Sequence, residues 1–235
     1  MLPIDRIKKI ILNPKEEWPV IAAETTTPKE LYLKYVLILA AIPAVASFLG
    51  MTFVGISVPF LGTIKSSFLG GLSAAIVQYA LSLGMVWVLA LILDALAPKF
   101  GAEVNFNQSL KLVAYSMTPG YVAGVFNLIP SLGILASLAG IYGLYLLYLG
   151  MPVLKKPTPE QTTPYFWVTF ACAVGAAIVI GLIVAFFGPS RGIGTVSYSG
   201  RPTSEAEAQA AQFLKSMDNL AKEAEKKMKE SGVQR

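Results

Sequence analysis

Four stretches of this chain carry no charged residue, and each is long enough to cross a bilayer as a helix. They are Tyr35 to Ile64 (30 residues), Ser66 to Leu93 (28), Leu112 to Leu154 (43) and Gln161 to Ser190 (30). A hydrocarbon core about 30 Å thick takes about 20 helical residues at 1.5 Å each. Three runs therefore hold one crossing each. The longest holds two, with Asn127-Leu128-Ile129-Pro130-Ser131 as the turn. The spacing predicts an all-α, polytopic membrane protein: a bundle of five transmembrane helices over 35–56, 68–96, 109–128, 132–151 and 165–187. Backbone in hydrocarbon must satisfy its own hydrogen bonds, so only helices or closed barrels cross, and these runs lack the alternation of barrel strands.

Composition supports this reading. Charged residues make up 14% of the 235, apolar residues 54%, and mean hydropathy is +0.60. About 25% charge is usual in a soluble domain. There is no His and one Cys, Cys172. That excludes a Ser-His-Asp triad, a His-ligated zinc and an intrachain disulfide, and no cofactor is implied. The net charge is +5. Most of it flanks apolar spans, so the expected partners are the lipid bilayer and its anionic lipids, not nucleic acid. The first run starts too far in, and is too long, for a cleaved signal peptide.

Orientation follows from Lys and Arg in the short connections. Residues 1–34 hold six, and the next four connections hold one, two, none and two. Alternate sides thus carry ten against one before the tail. This places the N-terminus in the cytoplasm and, after an odd number of crossings, the C-terminus on the exoplasmic side. Eight further basic residues lie in the 48-residue tail beyond the last span, where they weigh little.

Residues 1–34 form a cytoplasmic lead. Ile4, Ile7, Ile10 and Ile11 share one side of a short helix, with Arg6, Lys8 and Lys9 on the other. Such a basic amphipathic helix suits the surface of an anionic leaflet, or it packs under its own bundle. Asn13-Pro14-Lys15-Glu16 and Thr27-Pro28-Lys29-Glu30 both read as helix starts, with a cap residue, Pro at the first position and an acid at the third. Past the spans, residues 188–203 are rich in Gly, Ser and Pro and read as a linker. Residues 204–231 open on the capping box Ser204-Glu205-Ala206-Glu207 and read as an amphipathic tail helix. That helix is free, lies on the surface, or binds a partner.

Polar residues in the spans supply the candidate site. Asp94 is a carboxylate near the end of the second span. It is either an interfacial residue paired with Lys99 or Lys111, or a coupling group. Gly71, Ala75, Gln78 and Ser82 make a small-to-polar stripe that allows close helix approach or lines a pathway. Pro119 removes a backbone donor and kinks the third span, where Ser116 and Thr118 can satisfy freed carbonyls. Tyr142 lies deep in the fourth span and needs a hydrogen-bond partner, which Tyr115 or Ser116 could supply. The candidate binding residues are therefore Asp94, Tyr115, Ser116, Pro119, Tyr142 and Gln78, with Arg6, Lys8 and Lys9 at the membrane surface.

Several of these residues also carry a resemblance. The lead holds Leu12-Asn13-Pro14-Lys15 and Trp18-Pro19. The third span holds Tyr115-Ser116-Met117-Thr118-Pro119, and the fourth Tyr142-Gly143-Leu144-Tyr145-Leu146-Leu147-Tyr148-Leu149-Gly150. Over about residues 4–187 the chain resembles the Yip family of five-span membrane proteins in its bacterial form. The resemblance implies a helical bundle in a bacterial inner membrane, a cytosolic N-terminus and no enzyme activity. Eukaryotic members are associated with Rab-type GTPases, but their Asp-Leu-Tyr-Gly-Pro motif is absent here, so that role is not carried over. The expected function is a membrane scaffold, or a lipid- or partner-binding protein, able to self-associate through small-residue faces. The alternative is a small transporter or channel with a polar site at the kinked third span.

Overall fold

The computed structural model describes residues 3–58 and 62–187, the pair 197–198, and positions 215, 216, 218, 219 and 222. The lead folds as two helices, α1 (Pro3–Leu12) and α2 (Pro14–Ala23), joined at Asn13. Thr27 then caps α3 (Pro28–Leu31) in the reciprocal manner its sequence implies. Its hydroxyl accepts from Glu30 N at 3.3 Å, and the Glu30 carboxylate accepts from Thr27 N at 3.4 Å. The helix runs on through a wide π turn, Tyr32–Val36, into α4 (Leu37–Leu49) and a second wide turn, Gly50–Val54.

The connection after α4 contains a small antiparallel hairpin, β1 (Ile56–Val58) and β2 (Gly62–Lys65), with Ile56 opposite Ile64. A third strand, β3 (Ser197–Tyr198), comes from beyond the last helix and pairs Tyr198 with Ile64. Next follow α5 (Phe68–Leu96), capped by Ser67, and α6 (Phe106–Ser116), capped by Asn105. The chain continues through α7 (Thr118–Ala123), α8 (Gly133–Leu154) and α9 (Pro159–Phe187). Apart from Ser197–Tyr198 and the five tail positions, the linker and the tail helix expected over 188–231 lie outside the described residues.

The fold is an all-α polytopic membrane protein. Among the described residues, four helical stretches, Pro28–Val54, Phe68–Phe100, Pro130–Leu154 and Thr162–Leu182, are long and apolar enough to cross a bilayer. Their outward faces are apolar as well: Ile38, Val45, Ile76, Leu91, Ile141 and Ile178 are all exposed, as expected of helices that meet hydrocarbon on one side and each other on the other.

The third expected span departs from a continuous helix. α6 stops at Ser116, Met117 turns with ψ −9°, and α7 restarts at Thr118 with Pro119 in its first turn. Pro119 lacks the N–H that would continue the ladder. After α7 the chain tightens into a 3₁₀ turn, Gly124–Leu128. The broken segment nevertheless traverses the bundle. At its start, Asn105 N donates to Asp94 Oδ1 at 2.9 Å, at the end of α5. At its finish it meets the far end of α4, so closely that a Cβ on Gly50 would fall 2.1 Å from the Asn127 carbonyl oxygen.

The core is not confined to the spans. Ile10 of α1 and Trp18 and Ile21 of α2 are fully buried, in one cluster with Leu110, Leu112, Leu146 and Met151. Trp18 seats on Gly150, where a Cβ would lie 2.6 Å from the indole. Glycine at this position lets the α1–α2 hairpin approach the α8 backbone.

Candidate functional site

Polar chemistry in the described residues collects where the α1–α2 hairpin docks on α6. Arg6 is the centre. It is 4% exposed, pairs with both Glu17 and Glu24, and its guanidinium carbon stands 5.8 Å from the Tyr115 ring centre. Helix α6 meets the unpaired carbonyls at the end of α2 with side chains. Lys111 Nζ donates to the Ile21 carbonyl at 3.1 Å and to that of Glu24. Gln108 donates to the Ala22 carbonyl at 3.0 Å, and Asn107 to that of Thr26 at 2.9 Å. A cation at a helix C-terminus satisfies both the orphan carbonyls and the helix dipole. Tyr115 also packs at a tilt against Tyr35, with ring centres 4.8 Å apart and planes inclined by 57°, and the Tyr35 hydroxyl bonds Thr118 Oγ1 at 2.8 Å. A polar cleft of about 450 Å³ opens beside this network, lined by Arg6, Glu24, Glu30, Lys34, Tyr35 and Tyr115 among others.

The sequence-selected residues fall in separate places. Tyr115 belongs to the cleft. Tyr142 is anchored elsewhere than expected: its hydroxyl donates to the Ile11 carbonyl at 2.7 Å, so its partner is the hairpin and not Tyr115 or Ser116. Asp94 is paired with neither Lys99 nor Lys111. It takes Lys155 Nζ at 2.8 Å, Ser109 Oγ at 3.0 Å and Asn105 N, which ties the end of α5 to α6 and α8. Lys155 is wholly buried and has few other acceptors, which explains its hold on this carboxylate.

Pro119 is buried at the break in the third segment. Gln78 and Ser116 line a second, apolar cavity of about 430 Å³, bounded by α5, the α6–α7 break, α8 and α9. Ser116 Oγ accordingly does not satisfy a freed carbonyl; it is buried without a hydrogen-bond partner among the described residues.

Of the three residues expected at the membrane surface, Lys8 and Lys9 are exposed. Arg6 is not, and its placement there is corrected. Position 6 lies one helical turn before the buried Ile10, so it points with Ile10 into the bundle, where two carboxylates and an aromatic face receive it. A signal for this exists in the sequence. Glu17 lies on the α2 side that carries Trp18 and Ile21, and an acid on an apolar face needs a cation.

The lead is thus a helical hairpin locked to the bundle, and the segment between α5 and α8 is broken at a Tyr-Ser-Met-Thr-Pro run. The family model of the Yip1 domain matches residues 8–188, from the second half of α1 through every segment of the bundle. The chain belongs to the Yip1 domain family. Among curated relatives of this Yip1 domain protein is "Inner membrane protein YohC" of Escherichia coli (strain K12), 28% identical over 180 residues, 75% of this chain and 92% of the relative. The protein of the same name from Escherichia coli O6:H1 (strain CFT073) matches with the same figures. No solved structure matches significantly.

Proposed function

We propose that this Yip1 domain protein is a non-enzymatic scaffold of a bacterial inner membrane, and that it gathers anionic lipid around a basic face held rigidly at the cytoplasmic end of the bundle. The observation that carries the reading is how the lead divides its charges. Arg6 and Lys111 together balance Glu17 and Glu24 inside, and the buried Trp18 fixes the hairpin to α8. What faces outward is Lys8, Lys9, Lys15, Lys29 and Lys34 against Asp5, Glu16 and Glu30. Each exposed cation contributes about 1 kcal/mol near an anionic leaflet, and a fixed hairpin loses little entropy on presenting it. Relatives named as inner membrane proteins support the location. A lead on the cytoplasmic side accords with the ten-to-one distribution of basic residues.

The test uses charge reversal on exposed positions that leave the fold intact. Protein extracted in polymer nanodiscs from membranes of phosphatidylethanolamine and phosphatidylglycerol should carry more phosphatidylglycerol than the bulk membrane. A Lys8→Glu/Lys9→Glu variant should fall back toward the bulk ratio. Equal ratios for the two proteins would contradict the proposal.

Transport is the second reading, favoured by the break at Met117 beside the cavity lined by Gln78 and Ser82. In it the neutral polar groups, rather than the Lys155-held Asp94, would meet the solute. Flux through liposomes containing the purified protein tests this, and liposomes with no flux above protein-free controls would remove it.

A further inference from the structure

The apolar cavity contains a contradiction that a ligand resolves. Two hydroxyls on its wall, Ser116 and Thr169, are 4% and 2% exposed, and neither has a hydrogen-bond partner among the described residues. A buried hydroxyl with its hydrogen bond unmade is costly, and here the cost recurs on two different helices around one space.

The shape of the space narrows what could answer them. Its lining runs along α5 from Gln78 to Leu93, about 22 Å at 1.5 Å per residue. With a volume of about 430 Å³ it is long and narrow, within the usual range for a bound small molecule. Thr169 stands at its Leu93 end, one turn beyond Tyr165, whose hydroxyl donates to the Leu93 carbonyl. The neighbour of Leu93 is Asp94, the polar end of α5. Beyond Ala173, α9 turns apolar side chains outward: Val174, Ile178, Val179 and Leu182 are 42–57% exposed. The polar end of α5 thus borders one end of the cavity, while Gln78 and Ser82 line its other end, beside the outward-facing apolar side chains of α9.

We propose that this cavity binds one phospholipid, its acyl chain along α5 and an ester carbonyl oxygen accepting hydrogen bonds from Thr169 and Ser116. The lipid is recognised by chain and ester. Its headgroup charge is not read here, so the site is independent of the basic face described above.

The experiment is native mass spectrometry of the full chain in detergent, supplied with an equal mixture of palmitoyl-oleoyl phosphatidylethanolamine and phosphatidylglycerol. Wild-type protein should retain one phospholipid per chain. Gly140 lines the cavity, and a Cβ there meets nothing within 4 Å. Gly140→Leu therefore fills the space without striking backbone and should lower retention at least tenfold. Gly84 is also open within 4 Å but does not line the cavity, so Gly84→Leu should retain the lipid. Thr169→Val keeps the side-chain shape and removes the donor; the loss of one hydrogen bond should lower retention about threefold to tenfold. It decides the matter alone if Gly140→Leu does not elute as a folded monodisperse species. The proposal is overturned if wild type retains no phospholipid, if neither cavity variant differs from Gly84→Leu, or if the retained species is a free fatty acid or a second copy of the chain.

Discussion

Arg6 shows how one side chain decides the role of a whole segment. Placed outside, it would be one more cation on a surface helix; placed inside, between Glu17, Glu24 and the Tyr115 ring, it locks that helix to the bundle. Removing one partner of a buried ion pair leaves an uncompensated charge and costs about 3–5 kcal/mol. Arg6→Ala should therefore destabilise the purified protein by that order in a denaturant titration followed by Trp fluorescence, whereas Lys8→Ala should stay within about 0.5 kcal/mol. Equal effects of the two would place Arg6 at the surface after all. Part of this was readable in sequence, since Arg6 is four residues before Ile10 and so shares its face. The identity of its partners was not, because Glu17 and Glu24 reach it only once two helices have folded back on each other. Asp94 illustrates the same limit. Lys99 and Lys111 were the near choices along the chain, and the observed partner, Lys155, lies 61 residues away.

At the scale of elements, the instructive case is the third segment. Hydropathy marks it as a span, and Pro119 marks where it bends, so the position of the break was legible. Its form was not, because what fixes the two halves is the bond from Tyr35 to Thr118, across 83 residues. Tyr35→Phe deletes that bond and leaves Thr118 buried and unpaired, a cost of about 1–3 kcal/mol. A matching loss of stability is expected, with the far-ultraviolet spectrum of the folded protein unchanged; no loss would mean that the break is held by Pro119 alone. The hairpin is attached by equally close contact. Gly150→Ala puts a methyl group within 2.6–2.7 Å of Trp18 and Leu112. It should cost about 1–3 kcal/mol as overpacking, and proteolysis of the lead should become faster than in wild type. Helix starts were the most legible elements, because capping is local: the Thr27–Glu30 box is present as the four residues imply. The β1–β2 hairpin had no such signal, since a short paired loop between apolar spans resembles any other uncharged turn.

For the whole molecule, uncharged runs fixed the class, because hydrocarbon tolerates neither charge nor unpaired backbone, whatever the details of side-chain contact. Four continuous helices and a broken traversing segment follow from that constraint. We take the broken segment to be a fifth crossing. The pairing of β3 with β2 gathers the connection after α4 and the chain beyond α9 at one end of the bundle, and the lead would then stand on the opposite side from the tail. Cys172, the only cysteine, makes this directly measurable. In a Cys172→Ser background, Lys8→Cys, Lys65→Cys and Lys222→Cys would be probed one at a time with a membrane-impermeant maleimide on sealed vesicles of either orientation. The account predicts labelling of position 8 only from the cytoplasmic side, and of positions 65 and 222 only from the other. Labelling of positions 8 and 222 from the same side would contradict it.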